Sequence, residues 1–225
     1  TKIYIRDVSA NKYWKGTSWG SVAEGIQWRS VNGTTQWTYA VVGDTLPAWE
    51  SGKAYDIRPW TKDFAGNESS GTLKTFRYDN TKPNTQIVLP VQQKYYRSLP
   101  TLSGTSVDPL PFSGAYISGV KQVKISFKDN YLNKWWDGDD FIIPNEADSW
   151  IPLDPLINGT TEWFYTGYEA KLNDGRAYTL VTRVWDNSTP ENIETTYTVG
   201  VNTLTFTYDT SKPTATIISP DPNKP

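Results

Sequence analysis

An internal repeat constrains the fold of this 225-residue chain more than any other sequence feature. Short motifs of the first half return in the second half, and they return in the same order. Five collinear matches predict a tandem repeat of about 125 to 130 residues, because a chance set of matches would not keep its order. The matched pairs are KIYIRD and KISFKD, NKYWKG and NKWWDG, NGTTQWTY and NGTTEWFY, GKAYDI and GRAYTL, and TFRYDNTKP and TFTYDTSKP.

Each copy has the pattern of a series of short β-strands. Apolar and polar side chains alternate in Lys2–Asp7 and again at 123–129, as they do in a strand with one buried face. No segment has a 3.6-residue apolar period with helix caps. The sequence therefore predicts an all-β fold with a two-sheet sandwich in each copy. Further strands are predicted at 24–30, 37–42, 54–62, 73–78, 177–185 and 203–208.

The inventory of side chains excludes several kinds of functional site. The chain has no Cys, His or Met, so it can form no disulfide, no thiolate zinc site and no histidine general base. Its 22 basic and 24 acidic residues gather into no long run of one sign, which argues against a nucleic-acid surface. No apolar run is long enough to insert into a membrane. We expect no catalysis and no required cofactor, and the depletion of oxidisable side chains, with neither Cys nor Met present, favours an extracellular location.

The two copies differ in where they begin. Copy two starts with the leader NTQIVLP at 84–90, which copy one lacks, and a similar TATIISP follows copy two at 214–220. We expect a domain at 1–82 without a leader, a domain at 83–212, and a tail at 213–225. The tail is either the first strand of a following repeat in a longer array, or a segment that adds to another molecule's sheet in head-to-tail assembly.

The stretch from GKAYDI to QIVLP resembles the bacterial immunoglobulin-like repeats of large surface and secreted proteins. The resemblance is carried by the Asp-Phe-Ala-Gly-Asn turn at 63–67 and by the Asp-x-x-Lys-Pro junctions at 79–83 and 209–213. Copy two departs from it, since Ser-Thr-Pro follows Asp186 and Asn187. The resemblance implies two tandem immunoglobulin-like antiparallel β-sandwich domains. It also implies a stalk, adhesin or filament module at the cell surface.

Acidic side chains offer two candidate calcium sites. Asp137, Asp139 and Asp140 form a carboxylate-rich loop of the kind that binds a hard cation, although copy one has no carboxylate there. The alternative for this loop is a solvated polar turn. A second set lies near the domain junctions and either caps turns, which we favour, or binds calcium: Asp63, Asp79, Asp186 and Asp209.

Adjacent aromatic residues are candidates for ligand contact. Trp135 and Trp136 are neighbours in one predicted strand, and Trp14 has the same place in copy one after Tyr13. Neighbours in a strand face opposite sides of the sheet, so at least one ring of each pair is a candidate for the surface. An exposed ring could stack on a glycan or contact another subunit, whereas a buried ring would only pack in the core.

The repeated NGTT phrase carries both a turn signal and a glycosylation signal. Asn-Gly favours a two-residue type I′ hairpin turn. Asn32 and Asn158 are also in Asn-x-Thr sequons, which makes both candidate glycosylation sites. The aromatic residues that follow each phrase are predicted to point into the core. Those residues are Trp37, Tyr39, Trp163 and Tyr165.

The sequence thus favours a structural module of an extracellular repeat array that spaces or displays other domains. Its expected partners are neighbouring repeats or copies of itself, and glycans are possible partners. One alternative is a pair of carbohydrate-binding modules that use exposed Trp residues. Another is a filament subunit that assembles head-to-tail. Tyr55 and Tyr178 are predicted to be tyrosine corners, with the ring in the core and the hydroxyl bonded to nearby backbone.

Overall fold

The computed structural model describes residues 1–33, 36–39, 43–153 and 162–216, and its fold is all-β with several antiparallel sheets. The residues divide into two compact units. Unit 1 contains Thr1–Lys82, Asp108–Gly119 and Asp186–Asn192. Unit 2 contains the described residues of Pro83–Val107, Val120–Trp185 and Ile193–Pro225. None of the described residues belongs to a helix that is long and apolar enough to cross a lipid bilayer.

Unit 1 is built on one seven-stranded sheet in which each pair is antiparallel. The order along the sheet is β3-β2-β1-β5-β6, with β4 paired to β1 and β7 paired to β5. The alternation of KIYIRD sends Ile3 and Ile5 into the core together with Trp14. The strands are β1 Lys2–Asp7, β2 Lys12–Trp14, β3 Trp19–Ser21, β4 Arg29–Ser30, β5 Lys53–Lys62, β6 Glu68–Ser70 and β7 Lys74–Tyr78.

Unit 2 contains a second seven-stranded sheet and a three-stranded sheet. The larger has the order β13-β12-β11-β16-β17-β9 with β14 on β11, and the smaller has the order β15-β10-β8. Phe127, Trp136, Trp163, Tyr178 and Phe206 are among its buried core residues. The strands are β8 Asn84–Leu89, β9 Tyr95–Tyr96, β10 Thr101–Val107, β11 Val120–Asp129, β12 Lys134–Trp136, β13 Phe141–Ile143, β14 Ile151–Pro152, β15 Glu162–Thr166, β16 Arg176–Asp186 and β17 Thr203–Tyr208.

The matched motifs build the same hairpin in each unit. Asn11 and Asn133 hold φ values of 52° and 54°, in the left-handed region that asparagine tolerates well. The hairpin also places a buried aspartate, Asp7 or Asp129, where its carboxylate accepts N–H bonds from the turn. The other oxygen of Asp7 lies 3.1 Å from Lys53 Nζ. In the second hairpin, Asp129 lies 2.8 Å from Arg176 Nη1.

Both predicted tyrosine corners are confirmed. The rings of Tyr55 and Tyr178 are buried, with 1% and 0% of their surface exposed. The Tyr55 hydroxyl accepts the N–H of Glu50 at 3.0 Å, and the Tyr178 hydroxyl accepts the N–H of Asn173 at 2.8 Å. Each hydroxyl thus satisfies a backbone donor at the start of a long central strand while the ring packs in the core.

The NGTT turn of copy one differs from the sequence prediction, whereas the corresponding turn at Asn158 lies outside the described residues. Residue Asn32 itself pairs with Thr38, with both backbone hydrogen bonds at 2.9 Å, so the two-residue type I′ turn is wrong. Gly33 does have positive φ, at 100°. The predicted strand at 24–30 is also wrong over most of its length, because only Arg29–Ser30 pairs, with β1. The core prediction holds for the aromatic residues: Trp163 is buried, and Trp37, Tyr39 and Tyr165 pack against core clusters.

Replacing Tyr178 by Phe removes the acceptor of the Asn173 N–H, and we expect the free energy of unfolding to fall by about 1–2 kcal/mol. Tyr55→Phe removes the acceptor of the Glu50 N–H and is expected to cost a similar amount. Urea unfolding followed by tryptophan fluorescence measures both losses. Tyr95→Phe is the control, because its side chain is 69% exposed. Equal midpoints for all four proteins would contradict the corner role.

Candidate metal centre

Three aspartates that are far apart in the sequence bring their carboxylates together within unit 1. Asp79 follows β7, Asp108 follows β10, and Asp186 is the last residue of β16. One carboxylate oxygen of each lies within 4.8 Å of the other two. Asp108 and Asp186 are buried, with 4% and 0% of their surface exposed, whereas Asp79 is partly exposed. Two buried carboxyl groups and one partly exposed carboxyl group are therefore held close together.

Two of the three carboxylates are held by surrounding donors. Asp79 Oδ1 accepts the Thr81 N–H at 3.0 Å and Oδ2 accepts the Ser118 N–H at 2.7 Å. Asp186 Oδ1 accepts N–H bonds from Ser188 at 3.1 Å and from Asn192 at 2.8 Å. Backbone donors of this kind favour the charged form of a carboxylate, and they fix where its oxygens point.

Asp108 is held on one side only. Its Oδ2 accepts the Gly119 N–H at 2.7 Å and the Ser118 hydroxyl at 3.4 Å. Its Oδ1 is buried and has no hydrogen-bond partner among the described residues. A buried carboxylate oxygen without a donor is costly, and it costs more next to two other carboxylates. This oxygen is the feature of the cluster that a bound cation would satisfy.

The pKa values of the buried pair move in opposite directions. Burial raises the pKa of Asp108, and the charges of Asp79 and Asp186 raise it further against the opposing Gly119 N–H. Burial also acts to raise the pKa of Asp186, but the hydrogen bonds from Ser188 and Asn192 outweigh it and leave that pKa lowered. The surroundings of Asp186 thus favour its charged form, whereas those of Asp108 disfavour its charged form.

The donor set fits calcium best. Calcium takes six to eight oxygen ligands from carboxylates, carbonyls, amide oxygens and water, and it needs no nitrogen or sulfur. Beside the triad, unit 1 has a cleft of about 660 Å³ that is lined by Asp79, Ser118, Asn187 and Asn192 among other residues. The carboxamide nitrogens of both asparagines are donors to nearby backbone and side-chain oxygens. Their carboxamide oxygens and cleft water are ligands of the kind that calcium takes.

The acidic loop that the sequence singled out is arranged differently. Asp137 Oδ1 accepts the N–H groups of Asp139 at 2.8 Å and Asp140 at 2.7 Å, and Asp140 Oδ1 accepts the Phe141 N–H. These turn hydrogen bonds lower the pKa of Asp137. Within the described part of the chain, the carboxylates of Asp137, Asp139 and Asp140 are not brought together as the triad is. A calcium role for this loop stays a prediction.

The junction aspartates do cap turns, as the sequence predicts. Asp63 accepts the backbone N–H and the side-chain N–H of Asn67, both at 2.8 Å. Asp209 accepts the Ser211 N–H at 3.1 Å. Asp79 and Asp186 make the turn contacts described above and also join the triad. The sequence presents turn capping and cation binding as alternatives. At Asp79 and Asp186 the two roles are compatible.

Of the three tryptophans proposed for ligand contact, two are core residues. Trp14 and Trp136 are buried, with 5% and 1% of their surface exposed. Their indole N–H groups donate at 2.7 Å to Thr45 O and Tyr165 Oη. Neither ring is accessible for stacking on a sugar, so an exposed role for them is corrected to a packing role. Trp135 is partly exposed, with Lys128 Nζ 5.4 Å from its ring centroid.

The remaining predicted features concern glycosylation and assembly. Asn32 is exposed, which is compatible with its sequon but does not test it. Asn158 and residues 217–225 of the tail lie outside the described residues. Glycosylation at Asn32 and Asn158 and assembly through the tail at 213–225 stay predictions.

The comparisons with known proteins leave the family open. No protein-family model matches the chain, and a search of characterised proteins finds no similar sequence.

Asp108→Asn is expected to stabilise the metal-free protein increasingly as the pH rises from about 4 to about 7. The folded-state pKa of Asp108 is raised, so its contribution to stability is complete below the unfolded value of about 3.9 and is lost as the pH rises through the folded value. The asparagine amide carries no charge and can donate to the neighbouring carboxylates. Thermal unfolding in EDTA across this range measures the difference.

Asp186, whose pKa is lowered, contributes stability with the opposite pH dependence. Both the unchanged protein and Asp108→Asn contain Asp186, so its contribution largely cancels when their free energies of unfolding are subtracted. Asp148→Asn, at an exposed position of unit 2, serves as the control that changes the same kind of side chain outside the cluster. A difference between Asp108→Asn and the unchanged protein that stays flat with pH would show that the Asp108 carboxyl is not strained.

Proposed function

We propose that this chain is a structural module of an extracellular repeat array, formed by two immunoglobulin-like β-sandwich domains, and that calcium bound by Asp79, Asp108 and Asp186 stabilises unit 1. Its role is to space or display other domains at the cell surface. Its partners are neighbouring repeats or copies of itself. The buried carboxylate of Asp108, which has one oxygen unpartnered among the described residues and lies close to two further carboxylates, is the single observation that carries the calcium part.

A cation at this site would act as a cross-link. The three aspartates belong to three separate segments of unit 1, 1–82, 108–119 and 186–192. Binding of one ion to all three would close long chain loops that are open in the unfolded chain, and such a constraint favours the folded state. Because the unfolded chain does not present the three carboxylates together, calcium would bind mainly the native form.

Several observations support the immunoglobulin-like part of the proposal. Each unit has a tyrosine corner on a long central strand, as sandwich domains of this kind do. The Asp-Phe-Ala-Gly-Asn turn is closed by Asp63 and has Gly66 at φ 96°, a conformation that disfavours other residues.

Calcium titration with a thermal-unfolding readout tests the proposal. A ligand of the native state raises the melting temperature progressively with its concentration. We expect half-saturation at roughly 10⁻⁴–10⁻³ M, the range of extracellular calcium modules. Magnesium at equal concentration is expected to give a smaller shift, because it needs a tighter octahedral shell.

Two variants separate the triad from the acidic loop. Asp108→Asn is expected to abolish most of the calcium-induced shift, whereas Asp137→Asn is expected to keep it, because Asp137 only closes its own turn. Loss of the shift in Asp137→Asn and its survival in Asp108→Asn would move the metal site to the loop. The absence of any shift in the unchanged protein would refute calcium binding.

A further inference from the structure

A row of contacting aromatic rings lies on the face of the unit 1 sheet that points away from the core. Tyr13 and Tyr4 have ring centroids 5.3 Å apart, Tyr4 and Trp28 are 5.2 Å apart, and Trp28 and Trp60 are 6.1 Å apart. Lys2 Nζ lies 5.6 Å from the Trp60 ring centroid at the end of the row. We name these four rings the aromatic row.

The alternation of the strands places these rings outside the core. In β1, Ile3 and Ile5 enter the core, so Lys2 and Tyr4 lie on the opposite face. In β2, Trp14 is the core residue and Tyr13 faces the other way. Tyr13, Trp28 and Trp60 keep partly exposed surface, while Tyr4 is buried between its neighbours. The row is thus a supported surface whose rings hold one another in position.

The aromatic row is bordered by basic side chains. Lys2, Arg6 and Arg58 lie on this face. Lys2 contacts the row directly at Trp60. Burial raises the pKa of Tyr4, and the nearby positive charges of Arg58 and Arg6 act to lower it. Asp56 balances part of this charge, with a carboxylate oxygen 3.7 Å from Arg6 Nη1. The net character of the face is moderately positive, which complements a ligand with spaced negative charges better than a dense polyanion.

A small cavity adjoins Trp60. It has a volume of about 220 Å³, and its lining residues include Trp37, Pro59 and Trp60 as well as the hydroxyl-bearing Thr1, Thr61 and Ser69. An indole beside several hydroxyl groups offers both an apolar face for stacking and partners for hydroxyl hydrogen bonds. This combination fits a sugar residue.

The same face of unit 2 lacks the row. At the positions that correspond to Tyr4 and Trp60, copy two has Ser126 and Arg183. The Arg183 guanidinium, which stands where copy one has the Trp60 ring, lies 4.5 Å from the centroid of Trp150, the indole that corresponds to Trp28. Any ligand that needs consecutive stacked rings would therefore bind unit 1 and not unit 2.

We propose that the aromatic row of unit 1 binds an acidic polysaccharide, a chain of sugar rings that carry carboxylates. Consecutive sugar rings would stack on Trp28, Trp60 and the exposed part of Tyr13, with a terminal or side residue in the cavity beside Trp60. Lys2 and Arg58 would pair with the sugar carboxylates. This proposal rests on the row, the cavity and the charges of the face, and is independent of the calcium site.

The test is to measure the binding of the full chain to sodium polygalacturonate by isothermal titration calorimetry. The buffer contains EDTA, because calcium would make the polymer gel. We expect Trp60→Ala to weaken binding about tenfold, the loss typical for removal of one stacked ring. Lys2→Ala is expected to weaken binding about threefold and to reduce its salt dependence. Uncharged dextran is expected to bind more weakly than polygalacturonate.

Matched controls lie elsewhere on the chain. Trp150→Ala removes the indole of unit 2 that corresponds to Trp28. Phe64→Ala removes a fully exposed ring on the turn at 63–67. Neither change is expected to alter the affinity for polygalacturonate. Thermal unfolding checks that each variant is folded. No binding by the unchanged chain, equal affinity in Trp60→Ala, equal binding of dextran, or tighter binding of oligo(dT) would each overturn the proposal, the last in favour of a nucleic-acid ligand.

Discussion

The need to satisfy buried carboxylates governs how both units are put together. Removing an ionised carboxylate from water is costly unless cations or N–H donors replace the lost hydration. Asp7 and Asp129 meet this need with turn N–H groups and a basic side chain from the neighbouring strand. Because that basic residue stands at the beginning of the long central strand, the ion pair joins the hairpin to that strand close to the tyrosine corner.

Two buried acids depart from this rule, and the contrast between them is informative. Glu194 accepts from Thr85 N–H and Asn202 Nδ2, while its Oε2 has no partner in the described part of the chain. Burial raises the pKa of Glu194, and no other carboxylate contributes to this rise. If Glu194 takes up a proton, the free-energy cost of burying its charge is removed. Asp108 stands beside two more carboxylates. A proton on Asp108 would leave the other two carboxylates of the triad without a cation, whereas a bound divalent cation could pair with all three carboxylates.

The strands and the local motifs could be predicted because they depend on nearby residues. Alternation places β1, β5, β7, β16 and β17 close to their observed bounds, and the turn-capping aspartates act within a few residues of themselves. Period 2 also shows that one ring of each adjacent aromatic pair faces inward, but it does not say which one. That choice depends on the pairing of β2 and β12 with their neighbouring strands, which puts Trp14 and Trp136 inside.

The triad could be predicted only in part, because its third member depends on tertiary structure. Asp79 and Asp186 belong to motifs that mark the repeat, so the sequence draws attention to them. Asp108 lies in a segment of copy two that has no counterpart in copy one, and nothing local distinguishes it from any loop aspartate. Its sequence signal is its position in a segment that contains Pro and Gly and that copy one lacks.

Comparison of the two copies separates what holds the fold from what the surface can bind. The acid–base pair is retained as Asp7 with Lys53 and as Asp129 with Arg176, and the tyrosine corner is retained in both units. The outward face is not retained, because Ser126 and Arg183 replace two rings of the aromatic row. Positions under a shared packing constraint stay alike, whereas positions on the open face are free to differ. A binding surface confined to one unit is therefore compatible with a scaffold that both units share.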